Sequence, residues 1–593
     1  MSKENFFLRL LVWRIKHISN RNFLLFLSVV VGIFSGLAAV FLKEMVHLIQ
    51  HQLISHLSTA YAYYSYLAYP LIGISITVIL ARYIFREAFG HGITDILYAI
   101  SRKSSHISRS KTYSNLVGSA ITVGFGGSVG LEAPIVVTGS AIGSNIGRLM
   151  HIPPKKKGLL IGCGTAAAIS AIFNSPIAGV IFSIEVILID VTINAFIPLL
   201  IASVTGSLTS LLLLGDEILF SFKLEDPFSA NDTVYYILLG IFCGLVSVYF
   251  TRITYLTENL MHGIQGRVGR AILGGVSLGL IIFIFPPIYG EGYDFIKMML
   301  AGNEETLFQS SLFFERIGNI PFLLLFLLGL MIIKPFASAL TISSGGNGGI
   351  FAPSLFIGAV TGFFFAKSVN TLAIFGEISL SNFTLVGMCG MMSGVLHAPL
   401  TAIFLIAELT SGYTLFVPLM LVSALSYTTI LYFEKYSLYT KSLVKKGYFI
   451  PDDRDLQVLS QIEIRKLLET DLLTIRPDAI LGDLVNLVRV SHRNIFPVVN
   501  EEEELVGIIT LDDIRKIMFD PESQEQTLIS SLMHAPPDKI TTGETMQEVM
   551  DKFERTGAWN LPFLEEGKYI GLISKSRIFN AYRNRLMRQK QEY

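Results

Sequence analysis

One carboxylate stands out by its neighbours: Glu132, in the stretch Gly126-Gly127-Ser128-Val129-Gly130-Leu131-Glu132-Ala133-Pro134. Proline fits the first turn of a helix, where its missing N–H costs nothing, and the uncharged run Ile135 to Ile146 supplies the helix body. Glu132 is therefore expected at a helix N-terminus, facing backbone N–H groups that lack intrahelical acceptors and the positive end of the dipole. The glycines before it let the backbone bend and come close to a ligand. Such a place binds anions, and here the chain supplies one of its own. A second helix start, Gly349-Ile350-Phe351-Ala352-Pro353, has no carboxylate. The N–H groups of Ile350 and Phe351 are left to hold an external anion. A tethered carboxylate competing with a permeant anion for one site makes a gate, and a proton releases it.

The elements that position these groups are membrane-embedded. Of 593 residues 51% are hydrophobic and only 16% charged, with mean hydropathy +0.56, whereas a soluble protein is about one quarter charged. Segments long enough to span about 30 Å of hydrocarbon alone are Asn22–Leu42, Leu67–Ala81 with its flanks, Ala195–Leu214, Val234–Phe250 and Ile272–Tyr289. Pro134–Ile146, Pro176–Ile184, Phe351–Ala366 and Pro399–Ala407 read as short or broken. Broken helices at membrane depth need a protein or water-filled surround and suggest transport. Lys3, Arg9, Arg14, Lys16 and Arg21 precede the first span and Lys435, Lys441, Lys445 and Lys446 follow the last. Positive-inside bias then places both termini in the cytoplasm. The formal net charge of zero argues against a nucleic-acid partner. Cys163, Cys243 and Cys389 have no metal spacing and read as buried thiols.

The chain repeats itself. Gly90-His91-Gly92-Ile93-Thr94-Asp95-Ile96 resembles Gly290-Glu291-Gly292-Tyr293-Asp294-Phe295-Ile296, the Glu132 stretch resembles Gly345–Pro353, and Pro176…Glu185 matches Pro399…Glu408. Glycines Gly139 and Gly358 follow the two Ala-Pro pairs at equal distance. Separations of 200, 219 and 223 residues, in one order, make residues near 25–215 and 235–430 two copies of one unit. Glu185 and Glu408 are intramembrane carboxylates, expected to pair across helices. From about Ser460 charges appear throughout, and a second repeat follows. Phe496–Val499 and Leu505–Thr510, like Leu561–Leu564 and Tyr569–Ser574, read as strand, tight turn, strand, then helix. Leu481–Val490 and Met546–Phe553 are the helices before them.

These residues resemble the CLC chloride channels and proton-coupled chloride transporters over nearly the whole chain. Gly126–Pro134 is similar to the family's glycine-x-glutamate-glycine-proline loop, and Gly349–Pro353 matches its second motif. Asn174–Gly179, Ala398–Thr401 and Ser437-Leu438-Tyr439 also match. The resemblance implies an all-α polytopic membrane domain of two inverted repeats with broken helices, in a homodimer with one pore per subunit. It also implies an anion site formed by His91, Gly92, Gly130, Ile350, Phe351 and Tyr439, with Glu132 as the gating glutamate. Three positions depart from the family: Ala133 replaces glycine after the gate, His91 stands where serine or proline is usual, and Val186 occupies the internal proton-passing glutamate's position. An imidazole at His91 either donates to an anion or turns away and packs. Valine cannot relay a proton, which favours passive conduction unless Glu185 or water substitutes.

The C-terminal pair resembles tandem CBS domains, an α/β module that often binds adenine nucleotides through a Ser/Thr and an Asp three residues later. Thr510 and Asp513 fit in the first copy, while the second has Ser574 but Arg577 in place of the acid. The expected organisation is 1–450 membrane domain, 451–520 first CBS domain and 521–593 second CBS domain with its tail. The expected protein is a chloride channel of the cell (inner) membrane, homodimeric and requiring no cofactor, whose CBS pair either binds ATP or AMP or serves as a dimerising scaffold coupled to the pore. The rivals are a proton-coupled anion antiporter and a membrane-anchored nucleotide sensor with vestigial transport. No zinc-protease, nucleophile-elbow or phosphate-loop motif suggests an enzyme.

Overall fold

The structure is a computed structural model that describes residues 16–55, 59–87, 89, 92–187, 193–215, 226–301, 320–372, 377–410, 412–445, 459 and 462–591. The chain divides into two compact units, Met1–Leu443 and Val444–Tyr593.

Apolar runs become helices because lipid offers the backbone no hydrogen bonds. The first unit opens with α1 (Asn20–Ser55), α2 (Thr59–Ile79), α3 (Gly92–Arg102) and α4 (Lys111–Gly124). It continues with α5 (Glu132–Leu149), α6 (Pro154–Phe173), α7 (Pro176–Phe182) and α8 (Ile193–Leu214). The second copy runs α9 (Thr233–His262), α10 (Arg267–Ile284), α11 (Tyr293–Leu300) and α12 (Ile320–Ser343). Then come α13 (Phe351–Leu372), α14 (Leu380–Leu396), α15 (Pro399–Leu409), α16 (Phe416–Phe433) and the short α17 (Lys441–Lys445). Eight helices thus correspond to eight. Among the described residues nine helices are long and apolar enough to cross a bilayer.

Two lengths differ from the sequence expectation. Phe351–Ala366 was expected to be short, but α13 runs on to Leu372 and is one of the nine. Lys367 ends the uncharged run without ending the helix, because lysine is a good helix former and no proline or glycine follows it before Leu372. In the other direction, Ile272–Tyr289 is not one span: α10 stops at Ile284, and Pro286 opens a separate 3₁₀ turn.

Small residues let equivalent helices cross closely. A side chain on Gly139 would meet the Gly164 carbonyl at 2.3 Å, and one on Gly358 would meet the Gly387 carbonyl at 2.6 Å. These crossings, α5 on α6 and α13 on α14, are one contact made twice. The copies meet in an inverted arrangement at an isolated antiparallel bridge, where Gly130 and Gly349 exchange both backbone hydrogen bonds at 2.9 Å. Reciprocity extends outward: the Ser128 N–H donates to Thr341 Oγ1, and the Asn347 N–H to Thr122 Oγ1.

Among its described residues the second unit contains two small sheets. In the first, β1 (Ile495–Val499) pairs antiparallel with β2 (Leu505–Thr510), with α18 (Leu481–Val490) against them. In the second, β3 (Ile540–Thr541) pairs parallel with β4 (Asn560–Glu565), which pairs antiparallel with β5 (Lys568–Ser574). Helix α19 (Met546–Thr556) covers that sheet through Met546, Val549 and Phe553.

Candidate functional site at the meeting of two helix ends

Helices α5 and α13 both begin at the Gly130–Gly349 bridge, so two positive dipole ends converge on one point. Glu132 is the first residue of α5 and is 1% exposed. Its carboxylate leans to the other copy's helix. Oε2 fills the space where a Gly130 side chain would be, within reach of the Ala352 and Glu132 N–H groups. It meets neither at full hydrogen-bond geometry and has no hydrogen-bond partner among the described residues. Oε1 accepts a hydrogen bond from the Tyr293 hydroxyl. Only glycine leaves this room at position 130, since a Cβ there would stand 2.0 Å from Oε2 and 2.8 Å from the Ala352 Cβ.

Beside this point lies a cavity of about 50 Å³ lined by Gly92, Ala133, Gly349, Ile350, Tyr439 and neighbours. It brings together Gly92, Ile350 and Tyr439, which are far apart in sequence. Tyr439 is buried, and its hydroxyl has no hydrogen-bond partner among the described residues. Its backbone carbonyl accepts from Thr94 Oγ1 of α3 at 2.8 Å, which holds the tyrosine segment to the first copy. Phe351 starts α13, but its ring turns away into a cluster with Phe173 and Phe182, so any part in anion binding belongs to its backbone N–H. His91 lies outside the described residues. Ala133 is accommodated because Gly349 leaves room: a Cβ on Gly349 would approach the Ala133 Cβ to 2.5 Å.

Glu185 and Glu408 do not approach this cavity; they pair across the copies. Glu185 accepts the N–H groups of Leu400 and Thr401 at 3.0 and 2.8 Å and the Thr401 hydroxyl at 2.6 Å. Glu408 accepts those of Ile177 and Ala178 at 2.9 and 2.8 Å. Each acid caps the short helix of the other copy.

Sequence reasoning missed three groups beside the gate. Tyr293 holds Glu132, Glu291 Oε1 accepts the Leu131 N–H at 3.1 Å, and Lys334 is buried in α12. The signals were present. Glu291 and Tyr293 lie in the repeated Gly290–Ile296 stretch, and Lys334 is a lone charge in an apolar helix, costly in a membrane unless it has a role.

In the second unit Asp513 Oδ2 accepts from Thr510 N and Oγ1 at 2.7 and 2.6 Å and lies 3.2 Å from His534 Nε2. Burial pushes this carboxyl up, but the Thr510 hydrogen bonds and His534 outweigh it and hold Asp513 below its ordinary value. In the second copy the Ser574 hydroxyl is taken by Glu469 Oε1 at 2.5 Å, and Glu469 Oε2 by Arg493 at 2.6 Å.

The family model for the voltage gated chloride channel matches residues 72–430, and the CBS domain model matches residues 464–520 and 529–584. Chloride channel protein CLC-e of Arabidopsis thaliana is 29% identical over 373 residues, 59% of this chain and 50% of that protein, so the chain spans half its length. The H(+)/Cl(-) exchange transporter ClcA of Klebsiella pneumoniae subsp. pneumoniae is 28% identical over 417 residues, 67% of this chain and 83% of that protein. A slow cyanobacterial Cl-/H+ antiporter has the same fold, with TM-score 0.63 at 21% identity, covering 72% of this chain and 98% of that structure.

Proposed function

The chain belongs to the voltage-gated chloride channel family and carries two CBS domains, and on that premise we propose that it is a chloride channel gated by Glu132. As a CLC protein it is an integral membrane anion transporter; passive conduction, the gate and the tuning of opening by the CBS pair are our reading. The observation that carries the gate is the Glu132 carboxylate at the start of α13, beside Ala352 and next in sequence to the Ile350 and Phe351 N–H groups that would hold an anion. Protonation removes the charge that holds it there, the side chain leaves, and an anion takes its place between the amides of Ile350 and Phe351 and the Tyr439 hydroxyl. Gly92 and Gly130 let backbone approach that anion, and His91 contributes to its selection. We place both termini in the cytoplasm of a cell-membrane homodimer, with an adenine nucleotide at Thr510 and Asp513.

Two observations favour conduction without proton exchange. Val186 has no ionisable group, and the neighbouring Glu185 is occupied as the cap of α15. Exchange is the second reading, favoured by the name of the 28% identical Klebsiella relative. Liposomes containing the purified protein separate the two. A chloride gradient is expected to drive chloride flux with no uphill proton movement; proton pumping against its gradient overturns the channel reading. Glu132→Gln is expected to conduct at all pH values, and an unchanged pH response in that variant overturns the gate.

A further inference from the structure

Lys334 is the one charged residue of the 24-residue helix α12, and it is 0% exposed. Its ammonium donates to the carbonyls of Ile288 and Gly290, both at 3.2 Å, and lies 4.8 Å from the centre of the Phe356 ring. Two carbonyls and a ring face are the surroundings of a charged amine, but a buried charge is stable only with a counter-charge. The carbonyls it holds lead directly into Glu291 and Tyr293. Ser128 Oγ of the gate loop donates to the same Ile288 carbonyl at 2.8 Å, so ammonium and gate loop share an acceptor. Glu291 grips the gate from the other side through the N–H of Leu131, the residue before Glu132. It interacts electrostatically with Glu132, with Lys334 and with Lys43 of α1. Among the described residues, the other titratable groups that interact with Glu132 are the phenols of Tyr293 and Tyr439.

With all three ionised, Glu132, Glu291 and Lys334 together carry one net negative charge, which one added proton neutralises; Lys43 of α1, partly exposed, adds a positive charge that solvent screens. We propose that Glu291 and Lys334 are a resident pair of opposed charges flanking the gate loop, and that together they set the proton affinity of the gate, Glu291 favouring a proton on Glu132 and Lys334 opposing it. They are positioning residues: neither meets the anion, and both act through Glu132. The inference rests on the reading of Glu132 as the gate. It accounts for an expensive buried lysine in a helix that otherwise needs none, and for a second acid next to a gate that already has one. Removing either member should move the pH at which the gate opens, in opposite directions.

The experiment measures chloride flux against pH in liposomes for the wild type, E291Q, K334M, the double variant and E132Q. In E291Q the positive charge is left over, a proton is harder to add to Glu132, and the midpoint moves to lower pH by about one unit. In K334M two carboxylates face each other, and the midpoint moves to higher pH by a similar amount. The double variant returns close to the wild-type midpoint. A purely structural role lowers flux without moving the midpoint, and that result, or shifts in the same direction, overturns the proposal. Should K334M fail to assemble, E291Q decides alone, because it keeps shape and changes only charge and one acceptor. E132Q separates the two failures. If it abolishes the pH dependence while E291Q leaves the midpoint unmoved, the gate stands and the charge pair falls. If wild type and E132Q share one pH response, the gate reading itself has failed.

Discussion

Gly130 and Tyr293 decide where the gate carboxylate rests. Hydrogen in place of a side chain at Gly130 opens the volume that Glu132 Oε2 occupies, and Tyr293 fixes Oε1. Gly130→Ala would push the carboxylate from the start of α13, so chloride flux at neutral pH is expected to rise toward that of Glu132→Gln. Flux equal to wild type would show that the carboxylate rests elsewhere in the membrane. Tyr293→Phe removes one hydrogen bond to a charged acceptor, about 1.5–3 kcal/mol, and so favours the open gate. Its signature is opening at higher pH, read in the same flux assay. Both effects require that burial at Glu132 leaves few competing partners, as its 1% exposure indicates.

Helix ends show the same economy in the swapped caps. Glu408→Gln keeps one acceptor for Ile177 and Ala178 but leaves the other N–H unmet and removes the charge from the dipole end. The expected loss of stability is about 1–3 kcal/mol, measured as a lower melting temperature in detergent. In the second unit Asp513 caps the helical turn that follows β2. Its folded value lies below the unfolded value of about 3.9. The unfolded state therefore takes up the proton first as pH falls. The stabilisation from this cap is complete above the ordinary carboxylate range and is lost as pH falls through the lower folded value. Asp513→Asn is expected to speed hydrogen exchange at the β1 and β2 amides at pH 7, and to differ little from wild type in strong acid.

At the scale of the whole molecule, each unit is a duplication whose copies have diverged at one position that matters. In the membrane unit Glu132 has no acidic counterpart on α13, so a symmetric pair of helix ends becomes one site with a movable charge. In the second unit the Ser574 hydroxyl is already bound by Glu469, whereas Thr510 and Asp513 sit at the surface. Calorimetric titration of the full chain with ATP and AMP is expected to show one site per chain, lost in Asp513→Asn; two equal sites would contradict this. Much of this was legible in residue order, because repeats, helix starts at proline and intramembrane charges are local signals that water and lipid enforce on any chain. Glu132 at the start of α5, the two copies and the strand pairs of the second unit could be read that way. Which helix end receives the Glu132 carboxylate could not. Nor could the pairing of Glu185 with α15 and of Glu408 with α7, or the gathering of Glu291, Tyr293 and Lys334 around the gate. Apart from Lys334, which bonds carbonyls 46 and 44 positions away in its own copy, those contacts join residues more than 150 positions apart, and only the inverted packing of the two copies brings them within hydrogen-bond reach.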